Sequence, residues 1–315
     1  MSPSAGAAAT ATLLEDAGAA ASGEEFFRSS QFLAAEGVTH TLRIESDAGE
    51  LLAPLVVSDI EELGPRDASS PYGYPGLAGP AEPRLDPAEV DWSATGLVSI
   101  FLRHRLDREP PLGAATDRNI VQIADPALPR KSRPSDRRQI RRNAEAGYAV
   151  RRVDGPSASA EDRSAFLTAY AETMERAGAG ERYRFKEEYF AELLTYEDSS
   201  LFLADPPDGE VAAASIVAPS DAMLHYYLSG TADRFLSDAP MKSLVEAIVD
   251  YGEQRELPVN LGGGLSPGDS LEEFKRGFAN RTEPFRTSEI VCDASEYERL
   301  CAGRDAGDFF PGYRT

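Results

Sequence analysis

Lysine is nearly missing from this chain. Only Lys131, Lys186, Lys242 and Lys275 stand among its 32 basic residues, and arginine supplies the rest. Cysteine occurs twice, at Cys292 and Cys301, without the spacing of a metal site or the density of a disulfide framework. A reduced cytoplasm is therefore the expected compartment. No apolar run is long enough to cross a bilayer as a helix. The alanine-rich, acidic start lacks a positive segment and does not read as a secretion signal. With 53 acidic residues the net charge is −21, which disfavours nonspecific attraction to nucleic acid. Serine-hydrolase, zinc and P-loop motifs are absent. Gly262-Gly263-Gly264 is not a dinucleotide fingerprint, because no G-x-G-x-x-G opens a helix there. An acidic surface with little lysine suits a halophilic host, where molar salt screens exposed ion pairs within a few ångströms; a GC-rich genome would also replace lysine with arginine.

What is present reads as a mixed α/β chain. At 315 residues it has room for two domains or one large one. Residues 1–24 read as a disordered or loosely packed lead-in. Phe26 to Phe32 is a short helix candidate, and His40–Glu45 with Leu51–Val57 form a hairpin across Asp47-Ala48-Gly49. Ser69 to Pro80 is a glycine- and proline-rich loop. Strands follow at Leu97–Arg103 and Asn119–Ile123, and a proline-rich linker at Asp125–Pro134. Past the linker, Tyr148–Val153 is a strand, and Phe166/Tyr170/Met174 and Tyr189/Phe190/Leu193/Leu194 mark two amphipathic helices. Three strands then run through Leu201–Ala204, Val211–Val217 and Met223–Leu228, and Phe285–Cys292 is expected to close the second sheet.

One segment opposes the global charge. Between Arg130 and Arg152 nine basic residues face only Asp136 and Glu145. Ser135 is a candidate cap for a helix here and Gly147 a candidate stop. Arg138, Arg141 and Arg142 on that helix suit a bidentate grip on phosphate. Pairing with the surplus carboxylates is the competing reading.

The stretch from His225 to Phe278 organises the rest. Met241, Leu244, Val245, Ile248 and Val249 recur at helical spacing, behind Pro240 at the expected first position and Asp238 or Ser237 as cap. Strand candidates flank that helix, Met223–Leu228 before it and Pro258–Leu261 after it. A strand, crossover helix and strand make a right-handed unit with parallel strands. Ligands bind beyond the strands' carboxyl ends, where Ser229-Gly230-Thr231 and Gly262-Gly263-Gly264 fall. On the last helix Leu271, Phe274 and Phe278 share a face, with Lys275 four residues after Leu271. Such a lysine either stabilises an oxyanion or acyl donor, or lays its stem along the helix with the ammonium in solvent. His225 in a strand reads first as a core hydrogen-bonding residue.

Tyr226–Thr231, Ala239-Pro240, Leu261–Gly264 and Ser270-Leu271-x-x-Phe274-Lys275-x-x-Phe278 resemble the FemAB-like branch of the GNAT acyltransferases, which includes the BioF2-like domain. Arg137–Gly147 is similar to the arginine-rich helix opening the family's second domain, and Ser70-Pro71-Tyr72-Gly73-Tyr74-Pro75-Gly76 to a loop near its acceptor pocket. The resemblance implies an α+β tandem GNAT-like fold of mixed sheets flanked by helices. Its expected parts are a first half over 25–130, an acyl-transfer domain over 131–293, and a tail over 294–315 packing back on the first half.

It further implies attack of an acceptor amine on an activated acyl carbon. Lys275 would hold the oxyanion, Phe274 would pack on the donor, and Tyr72 and Tyr74 would line the acceptor pocket. Tyr227, Gly230, Thr231 and Gly263 would bound the substrate cleft, and Arg138, Arg141 and Arg142 would hold phosphates. The turn Phe235–Pro240 lacks the glycines that cradle a coenzyme A pyrophosphate, and Asp238 would repel one. That departure favours aminoacyl-tRNA over acyl-CoA as the donor, with no tightly bound cofactor and no metal. A small-molecule or peptide amine and the tRNA acceptor end are the expected partners. An acyl-CoA-dependent N-acetyltransferase and a non-catalytic binding module are the alternatives.

Overall fold

The computed structural model describes residues 8–62, 64–80, 82, 84–207, 209–305 and 307–315, the side chain of Arg182 excepted. The first elements are β1 (Ala9–Leu14), α1 (Ser30–Ala35), β2 (His40–Ser46), β3 (Gly49–Asp59), β4 (Arg66–Ser69), β5 (Val90–Asp91), β6 (Ser99–Arg103) and β7 (Thr116–Ala124). Then come α2 (Pro134–Glu145), β8 (Ala149–Asp154), α3 (Ala160–Arg176), α4 (Glu187–Leu193), β9 (Ser200–Asp205), β10 (Ala213–Ser220) and β11 (Met223–Thr231). The chain finishes with α5 (Met241–Arg255), β12 (Val259–Gly262), α6 (Ser270–Arg276), β13 (Arg281–Val291) and α7 (Ala294–Cys301). Among the described residues no helix is long and apolar enough to cross a membrane. Both cysteines are free thiols.

Two compact units result. One comprises residues up to Gly23, Phe27–Arg118 and Phe285–Thr315; the other comprises Glu24–Phe26 and Asn119–Pro284. The division thus falls at 119 and 285 instead of the expected 131 and 294.

The first unit carries strands in the order β5-β1-β2-β3-β4-β6-β13. β1 lies where a loose lead-in was expected. Ala9 and Ala11 alternate inward and β1 pairs antiparallel with β2, so small side chains pack where larger ones would be needed to signal a strand. The β2–β3 hairpin is in register from His40↔Leu55 to Ser46↔Gly49. Leu42, Ile44, Leu55, Ile100, Leu102 and Leu112 fill the core of this unit. Thr287–Val291 of β13 pair antiparallel with β6. The tail is fastened by Tyr313, whose hydroxyl bonds Ser99 Oγ and Asp67 Oδ2, and by Arg314, which donates to both Asp67 carboxylate oxygens.

The second unit is ordered β7-β12-β11-β10-β9-β8, with α2 to α6 around it. Leu244, Val245, Ile248 and Val249 of α5 are buried against Phe202, Val217, Leu224 and Val259. Each such side chain contributes about 1.5–3 kcal/mol by leaving water. α5 begins one residue later than its proline suggested: Pro240 occupies the capping position and no side chain caps the helix. α2 begins at Pro134 after Arg133, ahead of the expected Ser135 cap, and Gly147 follows it at φ +91°.

Candidate functional site

β11 and β12 run parallel but pair only at Leu224↔Val259 and His225↔Asn260. β11 continues to Thr231, whereas β12 ends at Gly262. At that end lies the turn Gly262-Gly263-Gly264. Gly262 has φ +78°, a conformation that favours glycine, and a Cβ on Gly263 would sit 2.7 Å from Asn119 Nδ2 and 2.8 Å from the Ile120 carbonyl.

Three side chains grip this turn. Asn260 Oδ1 accepts the Gly262 N–H at 2.8 Å, Lys275 Nζ donates to the Gly263 carbonyl at 2.7 Å, and Asn119 Nδ2 donates to the Gly264 carbonyl at 2.8 Å. Beyond the turn, the Asp269 carboxylate accepts the N–H groups of Leu265, Ser266 and Glu272, folding the loop and capping α6.

Lys275 is 9% exposed. Its ammonium is not in solvent, and Leu271, the residue expected on its face, is instead 40% exposed. The short α6 turns its lysine inward onto the triple-glycine turn. Burial pushes the Lys275 pKa down to about 8, against a smaller upward pull from Asp269. An ammonium has three N–H donors. Among the described residues Lys275 uses one of them, on Gly263. Neither Gly263 N–H nor Gly264 N–H donates to any described residue. These are donors at the turn that no described residue occupies.

The other sequence candidates separate into groups. Phe274 packs edge-on against Phe278 next to this lysine. Gly230 lies beneath α3: a Cβ there would meet the Ala169 backbone at 2.3 Å. Thr231 N–H donates to Thr173 Oγ1 and its carbonyl accepts from the same hydroxyl, so both residues serve strand–helix packing. Tyr227 joins an aromatic cluster, its hydroxyl 2.9 Å from that of Tyr189 and its ring edge-on to Phe26. Tyr72 and Tyr74 belong to the first unit. Tyr72 is 38% exposed, while Tyr74 is half-buried between Phe27 and Phe285. His225 is buried and hydrogen-bonded to Ser220 and Asn260.

In the basic segment from Arg130 to Arg152 the arginines sort by partner. Arg130 pairs with Glu246, Asp250 and Glu253, Arg133 with Glu273, Arg151 with Asp162 and Asp205, and Arg152 with Asp154. Arg138, Arg141 and Arg142 are exposed and form no ion pair among the described residues. Asp136 and Asn143 occupy the buried face of the helix and the three arginines the opposite one.

The start of α5 does not fit a pyrophosphate. Asp238 places a carboxylate there, holding the Tyr148 hydroxyl at 2.6 Å; Pro240 has no N–H; and Lys242 is committed to Asp136 at 2.9 Å. Among the described residues no cluster of ligands could hold a metal ion.

Sequence reasoning missed Asn119, Asn260 and Asp269. Only Asp269 carries a local signal: it stands three residues before Glu272 at the start of an apolar-patterned helix, where a capping residue belongs.

The acetyltransferase (GNAT) domain model matches residues 130–276. The solved structure of FemX superposes with a TM-score of 0.60 at 12% identity, covering 86% of this chain and 93% of that one. L-PGS from Bacillus licheniformis gives 0.55 at 13% identity, covering 80% and 84%. A DUF2156 C-terminal domain from Agrobacterium fabrum gives 0.55 at 12%, covering 87% and 88%. At such identities the likeness is one of fold. No curated protein matches the sequence. The matched domain marks the chain as an acyltransferase with a GNAT domain over residues 130–276, and the three solved structures share its fold.

Proposed function

We propose that this acyltransferase moves an acyl or aminoacyl group from an activated ester, with aminoacyl-tRNA the favoured donor, to an amine of a small molecule or peptide. The observation that carries the reading is the buried Lys275 ammonium at the open end of the β11–β12 pair, with donors to spare. In the reaction the amine nitrogen forms a bond to the acyl carbon, the carbonyl oxygen becomes an oxyanion, and the carbon–oxygen bond to the donor then breaks. The ammonium faces the charge that develops, which is where a fixed donor lowers the barrier most. The amine's proton passes to the departing hydroxyl or to solvent.

The donor preference rests on two features. The α5 turn does not suit a pyrophosphate, as its Asp238 carboxylate and Pro240 show. Among the described residues no carboxylate pairs with Arg138, Arg141 or Arg142, in a protein of net charge −21. Such a face matches a polyanion better than a small ligand sunk in a cleft. The acetyltransferase description of the matched domain favours a second reading, an acyl-CoA donor held away from the α5 turn.

The donors separate in one experiment: incubate the protein with aminoacyl-tRNA or with acetyl-CoA and follow thermal stabilisation and transfer to amines. Stabilisation by charged tRNA and aminoacyl transfer support the first reading. Stabilisation and acetyl transfer with acetyl-CoA but not with charged tRNA support the second, and no response to either donor overturns both.

A further inference from the structure

Beneath the triple-glycine turn lies a buried polar chain that no part of the transfer chemistry uses. Asn260 and His225 face each other across the two paired positions of β11 and β12. Both are buried. Asn260 Nδ2 donates to His225 Nδ1 at 3.1 Å, so His225 carries its proton on Nε2 and donates it to the Ser220 carbonyl at 3.0 Å. With its nitrogen committed to the imidazole, the Asn260 amide has one orientation, and its oxygen must face Gly262 N–H. Turned over, it would set donor against donor at Gly262.

This bond falls where the strand becomes irregular. The β12–β7 register slips between Asn260 and Gly262, and Gly262 turns into the left-handed region. The next carbonyl, that of Gly263, holds Lys275.

We propose, resting on the assignment of Lys275 to the reacting carbonyl, that Asn260, oriented by His225, is a positioning residue that holds the Gly262–Gly264 turn so that the Lys275 ammonium stays buried at the end of β12. Its amide oxygen fixes the turn on one side, as Asn119 and Asp269 fix it on the other. Asn260 touches no reacting atom; it acts through Gly262 and Gly263.

The consequence is measurable without substrate, because four lysines give four side-chain signals. In the intact protein labelled with isotopic lysine, Lys275 titrates near 8, since burial disfavours its charge. Asn260→Ala frees the turn and admits water, so the Lys275 midpoint rises by one pH unit or more, towards an ordinary lysine. Asn143→Ala removes an equally buried asparagine from α2, with its bonds to Ser243 and Gln139, and leaves the midpoint in place. Should Asn260→Ala prove too unstable, His225→Phe fills the ring volume but accepts nothing, and shifts the midpoint in the same direction. An unmoved Lys275 midpoint in a folded Asn260 or His225 variant, or an equal shift in Asn143→Ala, overturns the proposal. The lysine's own role fails separately, through an active Lys275→Met enzyme.

Discussion

Replacing Lys275 by methionine separates a catalytic lysine from a structural one, because the two predict opposite signs for stability. Lys275 titrates near 8, below its ordinary 10.5. At about 1.4 kcal/mol per tenfold change in equilibrium, the fold penalises the charged form by about 3 kcal/mol. The folded pKa lies below the unfolded one, so the penalty is fully present below pH 8, where both states hold the proton. It fades as pH rises towards 10.5, where the unfolded chain alone still binds one. Methionine fills a similar volume without charge, and half-exposed Gly263 can bond water in place of the ammonium. Lys275→Met is therefore expected to gain about 1–3 kcal/mol in denaturant unfolding at pH 7, a gain that shrinks above pH 8. Turnover is expected to fall by about 10²–10³, the usual loss for an oxyanion donor. A variant less stable than the parent by the same amount at every pH would refute the reasoning, since the lysine would then be a tie for Gly263 and nothing more.

Three further outcomes follow from the same charges. Turnover depends on the protonated lysine, so the rate should decline as pH rises through about 8, and a rate still rising at pH 9.5 contradicts this. Replacing Arg138, Arg141 and Arg142 together by glutamine should leave the melting temperature within a degree or two, because no carboxylate loses a partner among the described residues. It should lower the salt slope of tRNA binding by about 2, at ~0.7 per single-strand phosphate contact; an unchanged slope removes these residues from the donor site. In the first unit His104 is pushed down to about 4, first by burial and then by Arg286 and Arg84, while its Nε2 bonds Ser288 Oγ. Its folded pKa also lies below the unfolded value, so stability should drop by about 3 kcal/mol as pH falls from 6.5 to 4. A denaturation series showing the same slope in His104→Gln would contradict that.

Much of the second unit was legible in the sequence. The apolar spacing of α5 fixes which face is buried, and the strands on either side of it are parallel, as the crossover requires. The first unit was harder. β1 opens with Ala9-Thr10-Ala11-Thr12, which carry little hydrophobic alternation, and its two leucines stand side by side, so its pairing with β2 left little local signal. The pairing of β13 with β6 joins residues almost two hundred positions apart and leaves no local signal. At the site, spacing on α6 put Leu271 and Lys275 together, but seven residues form barely two turns, and the loop held by Asp269 sets the helix's rotation. That rotation exposes Leu271 and buries Lys275. Gly230 and Thr231 were read as cleft residues from their place at a strand end; the close approach of α3 is invisible locally. Asn119 grips the turn from β7 and Asn260 from two residues earlier on β12 itself, and neither side chain carries a local pattern that marks its bond.

The most direct test of the transferase assignment is to watch Lys275 itself meet a tetrahedral anion. Lysine-labelled protein is titrated with a phosphonate analogue of an aminoacyl ester, with binding confirmed by calorimetry. Of the four lysine signals, that of Lys275 is expected to move, with its titration midpoint rising above 8, as an anion beside it favours the proton. A bound analogue that leaves the Lys275 signal and midpoint where they were would contradict it.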